Sequence, residues 1–149
     1  MARQTAELVQ RLLDAGSNYV FVPNLYPKDI SPSSKFYASN PSQLAVLNNT
    51  IELANAAIKT ALEPFGEKAI YYDVNAFMKK VWTNHDSYGI THVGGEYCDG
   101  YSQEDWDLCV TEKKGYEFYW MQDLDMVTTV HKLIAGDMYQ TLKGHFGVK

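Results

Sequence analysis

Hydrolytic chemistry needs an activated nucleophile, a base that takes its proton and a group that orients the base. The sequence contains neither a Gly-Asp-Ser segment nor a Gly-x-Ser-x-Gly motif, the common settings for a reactive serine. Its four histidines are His85, His92, His131 and His145. None has a serine or cysteine at a meaningful spacing, which favours surface or packed histidines over bases. Because triad geometry is spatial, a new arrangement of these groups stays open.

An acidic stretch supplies the candidate metal ligands. Its carboxylates are Asp99, Glu104, Asp105 and Asp107. Such hard oxygen ligands suit Ca²⁺, but the alternate acidic residues, central Gly and terminal Glu of an EF-hand loop are missing. We therefore expect a solvated acidic loop without a bound metal. The four carboxylates are only weak candidates for cation ligands.

Two cysteines, Cys98 and Cys109, flank this acidic stretch. Cysteines that close a short loop suit a disulfide in an oxidising compartment. Two buried thiols are the alternative.

Hydrophobic periodicity predicts an α/β chain with a parallel sheet flanked by helices. Helices are expected over 5–15, over 42–62 and from Val127 or Thr128 onward, and strands over 19–25, 69–74 and 118–121. Residues 19–25 show no polar alternation before Pro23, which is typical of a strand covered on both faces. Residues 26–41 read as a long surface connection.

Polar residues are expected at the helix ends and on the outer faces. Asn75 is the predicted N-cap of a short helix, and Asp125 that of the last helix. In the last helix, spacing turns Lys132, Asp137 and Gln140 toward water.

The segment from Tyr116 to Leu142 joins an aromatic strand, the turn Gln122-Asp123-Leu124-Asp125 and a helix containing Val-His-Lys-Leu-Ile-Ala. This order resembles the carboxy-terminal signature of the GDSL-type, or SGNH, esterases and acylhydrolases, whose turn reads Asp-x-x-His-Pro-Thr. Aligned on the helix without a gap, Gln122 takes the place of the catalytic Asp and Asp125 that of the His. The resemblance thus implies that both catalytic positions are substituted, since a carboxylate is a far weaker base than imidazole.

The resemblance runs from the first helix to about Phe146 but covers only the back half of the family fold. The family's Gly-Asp-Ser-Leu strand and oxyanion segments would lie before Met1. It implies one truncated SGNH-like domain over 1–149, with a partial doubly wound, flavodoxin-like parallel sheet. The family often carries cysteines in the region of Cys98 and Cys109, which adds to the disulfide prediction.

The cellular location has two readings. Residues 1–6 carry no signal-peptide core, so the chain is expected to be cytosolic or to begin after removed or untranslated sequence. The disulfide and the family resemblance together indicate an extracellular protein.

The net charge of −5 argues against nucleic acid as a partner, because no basic stripe is present to displace counterions from phosphates. No apolar run approaches the roughly 20 residues of a membrane helix. We therefore expect neither a nucleic-acid nor a membrane partner.

A scaffold without a nucleophile can still bind, so we expect a non-catalytic protein that holds a small aromatic or apolar molecule, with no cofactor besides it. Tyrosine and tryptophan suit such a pocket because they combine apolar area with a polar tip. The predicted lining residues are Tyr26, Tyr71, Tyr72, Tyr97, Tyr119 and Trp120. In a full-length family member further structure would flank residues 19–25, so the resemblance implies an open strand edge there and predicts a two-fold homodimer whose protomers cover each other. The alternatives are an ester-hydrolase fragment that needs an N-terminal half, and a structural or carbohydrate-recognising module.

Overall fold

The computed structural model of the protein describes residues 1–34, 41–93, 97–98, 102, 104, 107, 109, 115–122 and 125–147. Within these ranges the chain is a mostly helical α/β protein. Its main elements are α1 (Ala2–Asp14), β1 (Val20–Pro23), α2 (Pro41–Leu62), β2 (Ala69–Tyr72), α3 (Val74–Thr83) and α4 (Thr128–Phe146). Short 3₁₀ turns lie at Lys28–Ile30, Glu63–Lys68, His85–Tyr88 and Gly115–Glu117.

The two strands pair in parallel, from Val20 opposite Ala69 to Pro23 opposite Tyr72. Parallel neighbours need a long crossover, and α2 supplies it. The predicted α/β class and parallel pairing are confirmed, and both strands are shorter than 19–25 and 69–74. The doubly wound arrangement goes beyond what two strands show.

Helices pack on both faces of this strand pair. On one face Val22 joins Val9 of α1 and Ile58 and Leu62 of α2 in a small core. On the other face Tyr72 belongs to a large core. Its buried members are Tyr72, Val74, Met78, Val81, Ile90, Cys98, Cys109, Phe118, Tyr119, Trp120, Val127, Val130 and Ile134. Alternate strand residues thus serve opposite cores, as the two-residue side-chain period of a strand requires.

Residues 118–121 do not form the predicted strand. Phe118 makes an isolated parallel bridge with His92, and Trp120 makes an isolated antiparallel bridge with Met126. Neighbouring residues contribute single backbone hydrogen bonds to the segment. The Cys98 amide donates to the Trp120 carbonyl at 2.9 Å, and the Val127 amide donates to the Tyr119 carbonyl at 3.2 Å. Because the partner changes from residue to residue, no ladder with other described residues extends along the segment.

Two local expectations, both about helix N-caps, are wrong. Asp73, not Asn75, caps α3, its carboxylate accepting from the Ala76 amide at 2.9 Å. Val127 is the N-cap of α4 and has no side-chain cap bond. Asp125 instead closes the preceding turn, its carbonyl accepting from the Met121 amide at 2.8 Å.

The segment after β1 also differs from the predicted surface connection. Ser31, Ser33 and Ser34 are buried. Their hydroxyls bond to one another and to nearby backbone carbonyls, which satisfies polar groups that burial would otherwise leave unpaired. In the described part of the chain, no helix has the length and apolarity needed to cross a membrane.

Candidate ligand cleft

The candidate site lies where β1 and β2 end. In open parallel sheets, ligands bind outside the carboxyl ends of the strands, because the connections diverge there and leave a crevice. Here the chain leaves β1 at Asn24 and β2 at Asp73. The side chains of these two residues are hydrogen-bonded to each other: Asn24 Nδ2 donates to Asp73 Oδ1 at 2.8 Å.

Asn24 joins the two strand ends through every polar atom of its side chain. Nδ2 also donates to the Tyr71 hydroxyl at 2.8 Å, and Oδ1 accepts from the Asn75 amide at 3.0 Å. The side chain is buried, so these bonds form in a poorly solvated setting where an unpaired amide would be costly. Asn24 therefore fixes the position of Tyr71, Asp73 and the first turn of α3.

Leu25, the next residue, is held by two more buried asparagines. Asn55 of α2 accepts from the Leu25 amide at 2.8 Å and donates to its carbonyl at 3.0 Å. Asn75 of α3 donates to the same carbonyl at 3.1 Å. The chain leaving β1 is thus bonded to both helices, which makes this edge of the sheet rigid.

A cleft of about 460 Å³ opens beside this network. Its walls come from α2, β2, α3 and α4, and the lining residues are Lys59, Tyr71, Tyr72, Asp73, Ala76, Phe77, Lys80, Asp137 and Thr141. A smaller hollow of about 240 Å³ adjoins it and shares Lys59, Tyr71, Asp73 and Ala76. Four elements therefore converge on one concave surface.

The charges of the cleft balance. Lys59 and Lys80 bring two positive charges, and Asp73 and Asp137 bring two negative ones. The Lys59 ammonium lies 5.7 Å from the centre of the Tyr71 ring, within cation–π range. Burial raises the pKa of Tyr71; the hydrogen bond from Asn24 opposes this rise and the charge of Asp73 adds to it. Tyr71 is therefore a neutral phenol at physiological pH.

Tyr72 is the unusual wall residue. Its side chain is only 3% exposed, and its hydroxyl makes no hydrogen bond within the part of the chain that the structure describes. Burial raises the pKa of this hydroxyl; the adjacent Asp137 carboxylate, which attracts the phenolic proton without reaching regular hydrogen-bond geometry, raises it further, as does the charge of Asp73. A buried, protonated hydroxyl without a partner is costly and can be satisfied by a ligand group.

Asp137 borders the cleft because it lies on the buried side of α4. It was predicted to face water, but it is half-buried and borders the cleft. Val130, Ile134, Asp137 and Thr141 follow one another at steps of four, three and four along α4. Asp137 therefore continues the buried stripe instead of lying opposite it.

Two of the six predicted lining residues border the cleft, and the other four belong to the large core or pack against it. Tyr71 and Tyr72 border the cleft. Tyr119 and Trp120 are fully buried in the large core, and the Tyr119 hydroxyl donates to the Met78 carbonyl at 3.0 Å. Tyr26 and Tyr97 are half-buried against the same core. Asn24, Asn55, Asn75, Lys59 and Asp137 were not predicted as site residues.

The two family dyad positions lie close together. Gln122 is half-buried and Asp125 is exposed. Their bond is a backbone contact, the Gln122 amide donating to the Asp125 carbonyl at 3.4 Å. Among the histidines, His85 bonds to the Ile90 carbonyl at 2.8 Å and His92 stacks on Phe118.

The cysteine prediction is confirmed: Cys98 and Cys109 form a disulfide, and both are fully buried. The alternative of two free thiols is wrong. Glu104 and Asp107 are exposed, whereas Asp99 and Asp105 lie outside the described residues. Within the part of the chain that the structure describes, no group of three or more potential ligands is placed to hold a metal ion.

Comparison with models of known protein families and with curated proteins finds no match to this sequence.

Proposed function

We propose that this chain is a small-molecule-binding protein without ester-hydrolysing activity, and that its ligand occupies the cleft at the carboxyl ends of β1 and β2. The cleft carries this proposal: its volume of about 460 Å³ falls within the range of about 300–1,000 Å³ of known ligand sites. A buried hydroxyl in its wall, that of Tyr72, has no protein partner among the described residues.

The scaffold part of the proposal is a partial doubly wound, SGNH-like sheet. A parallel pair joined by a helical crossover and covered by helices on both faces is compatible with it. Gln122 and Asp125 occupy the positions that resemble the catalytic dyad, and neither residue offers imidazole chemistry. On this scaffold the protein is a pseudoenzyme.

A homodimer is also part of the proposal. Among the described residues, β1 pairs only with β2, so its other edge is open to a second copy. Beside β1, Tyr19 packs edge-to-face on Phe146, with their ring centres 4.8 Å apart. Both side chains remain accessible, Tyr19 at 49% and Phe146 at 46% exposure. Sedimentation velocity at micromolar concentration tests this part, and a single monomer boundary rejects it without affecting the cleft.

A cleft-filling substitution tests the binding site. Ala76→Trp places an indole in the cleft from an exposed position on α3. Small-molecule fragments that shift the amide resonances of residues 71–80 and 137–141 should lose these shifts in A76W. The matched control is Ala57→Trp, at an exposed position on α2 outside the lining residues. Fragments that bind A76W and the unaltered chain equally would place the site elsewhere.

A second assay addresses catalysis. The unaltered chain should hydrolyse p-nitrophenyl acetate no faster than buffer and should not react with a fluorophosphonate probe. Labelling of a serine by that probe, together with turnover, would instead make the chain an ester hydrolase.

A further inference from the structure

The residues that line the cleft restrict the chemical class of ligand that it can bind. This inference rests on the binding function proposed above. The lining of the cleft contains both hydrogen-bond donors and acceptors. Lys59 and Lys80 donate, Asp73 and Asp137 accept, and the Thr141 hydroxyl can do either. Such a wall suits a ligand that itself carries several groups able both to donate and to accept.

The Tyr72 hydroxyl and the Asp137 carboxylate form the most demanding part of the wall. The hydroxyl is buried and unpartnered in the described part of the chain, and the carboxylate is half-buried beside it. Both have unused hydrogen-bonding capacity. The Tyr72 hydroxyl oxygen has no exposed surface, so a ligand hydroxyl reaches the pair only if one of the two side chains moves aside. It would then satisfy both groups, donating its proton to Asp137 and accepting the proton of Tyr72.

An aromatic surface completes the cleft. Tyr71 and Phe77 are half-buried, and both line the cleft. The Asn24 bond fixes the Tyr71 ring. Rings of this kind suit the C–H face of a cyclic polyol, which is apolar on its faces and polar at its rim.

Two other ligand classes fit less well. An anion such as phosphate would be attracted by Lys59 and Lys80 but repelled by Asp73 and Asp137, which line the same cleft, so it would gain little net electrostatic energy. A purely apolar molecule would cover Asp137 and Tyr72 without bonding to either, and covering a polar group without a hydrogen bond is costly.

We infer that the cleft binds a neutral polyhydroxylated molecule of the size of a mono- or disaccharide, held through one ligand hydroxyl by the Tyr72 hydroxyl and the Asp137 carboxylate.

Amide-resonance titrations test this inference with three probe sets: neutral methyl glycosides and disaccharides of glucose, galactose, mannose and xylose; benzoate; and inorganic phosphate. At least one neutral sugar should shift residues 71–80 and 137–141. In Tyr72→Phe and Asp137→Asn its Kd should rise about tenfold or more. The control substitutions Tyr139→Phe and Asp14→Asn, at exposed positions outside the cleft, should leave Kd within about twofold.

The outcomes separate the two proposals. If benzoate or phosphate shifts the cleft resonances and no sugar does, the ligand class is wrong and the binding function stands. Sugar binding that is unchanged in both Y72F and D137N overturns the assigned contacts. If no probe shifts the cleft, both proposals fail. Unchanged dispersion of the remaining amide resonances in each variant shows that the fold is intact.

Discussion

Two buried tyrosines should respond in opposite ways to the same small change. Tyr72 and Tyr119 are 3% and 0% exposed, and both pack in the large core. The Tyr119 hydroxyl donates to the Met78 carbonyl at 3.0 Å, whereas the Tyr72 hydroxyl has no partner among the described residues. Replacing either by phenylalanine removes one oxygen and leaves the ring in place.

The magnitudes follow from the cost of buried polar groups. Tyr119→Phe loses one buried hydrogen bond, so the free energy of unfolding should fall by about 1–2 kcal/mol. Tyr72→Phe removes a hydroxyl that is desolvated without compensation, so the free energy of unfolding should rise by about 1 kcal/mol. The two variants should therefore differ by about 2–3 kcal/mol, or roughly 4–12 °C in Tm for a chain of this size.

Urea denaturation followed by tryptophan fluorescence measures this difference. Trp120 is fully buried beside Tyr119, so its emission reports loss of the large core. Tyr139→Phe, at an exposed position on α4, is the control and should stay within about 0.5 kcal/mol of the unaltered chain. Equal destabilisation by Y72F and Y119F would refute the reasoning, because it would mean that the Tyr72 hydroxyl is already bonded in the folded protein.

Three further measurements test the framework around the cleft. Replacing Cys98 and Cys109 by serine should lower the free energy of unfolding by about 3 kcal/mol, since the bond closes a loop of sequence separation 11; urea midpoints that reductant does not shift would contradict this. Asn55→Ala should cost about 2–3 kcal/mol through two lost backbone bonds, against less than about 0.5 kcal/mol for exposed Asn49→Ala in the same titration; equal effects would exclude the bonds. Burial raises the pKa of Tyr119 above 10.0, so its contribution to stability should be complete below pH 10 and lost above it; urea midpoints from pH 8 to 11 should fall less steeply in the Phe variant.

The parts of the fold that local pattern determines could be predicted. The apolar spacing of α2 and α4 and the unbroken apolar run at β1 report burial directly, so element type and parallel pairing followed from the sequence. The segment 118–121 shows the limit. Its composition is typical of a strand, but a strand also needs a neighbour that stays alongside, and here the partner changes at each residue.

The cleft was harder to predict because its bonds are long-range. Asn55 lies 30 residues from Leu25, which it binds, and its partner atoms are backbone atoms with no signature of their own. A usable signal was nevertheless present. Asn55 stands in the buried stripe between Ile51 and Ile58, just as Asp137 follows Ile134. A polar residue on an otherwise apolar helix face marks a place where something polar must meet it.

Because four elements line the cleft, a ligand can bind there only when all four are folded and packed together. Lys59, Tyr72, Lys80 and Asp137 become neighbours only when the crossover between β1 and β2 is complete and α3 and α4 have docked. An unfolded chain therefore has no equivalent affinity, and ligand at one hundred times its Kd would add about 2.7 kcal/mol to the free energy of unfolding. A molecule that fits there would slow proteolysis at sites far from the cleft, in α1 as much as in α4.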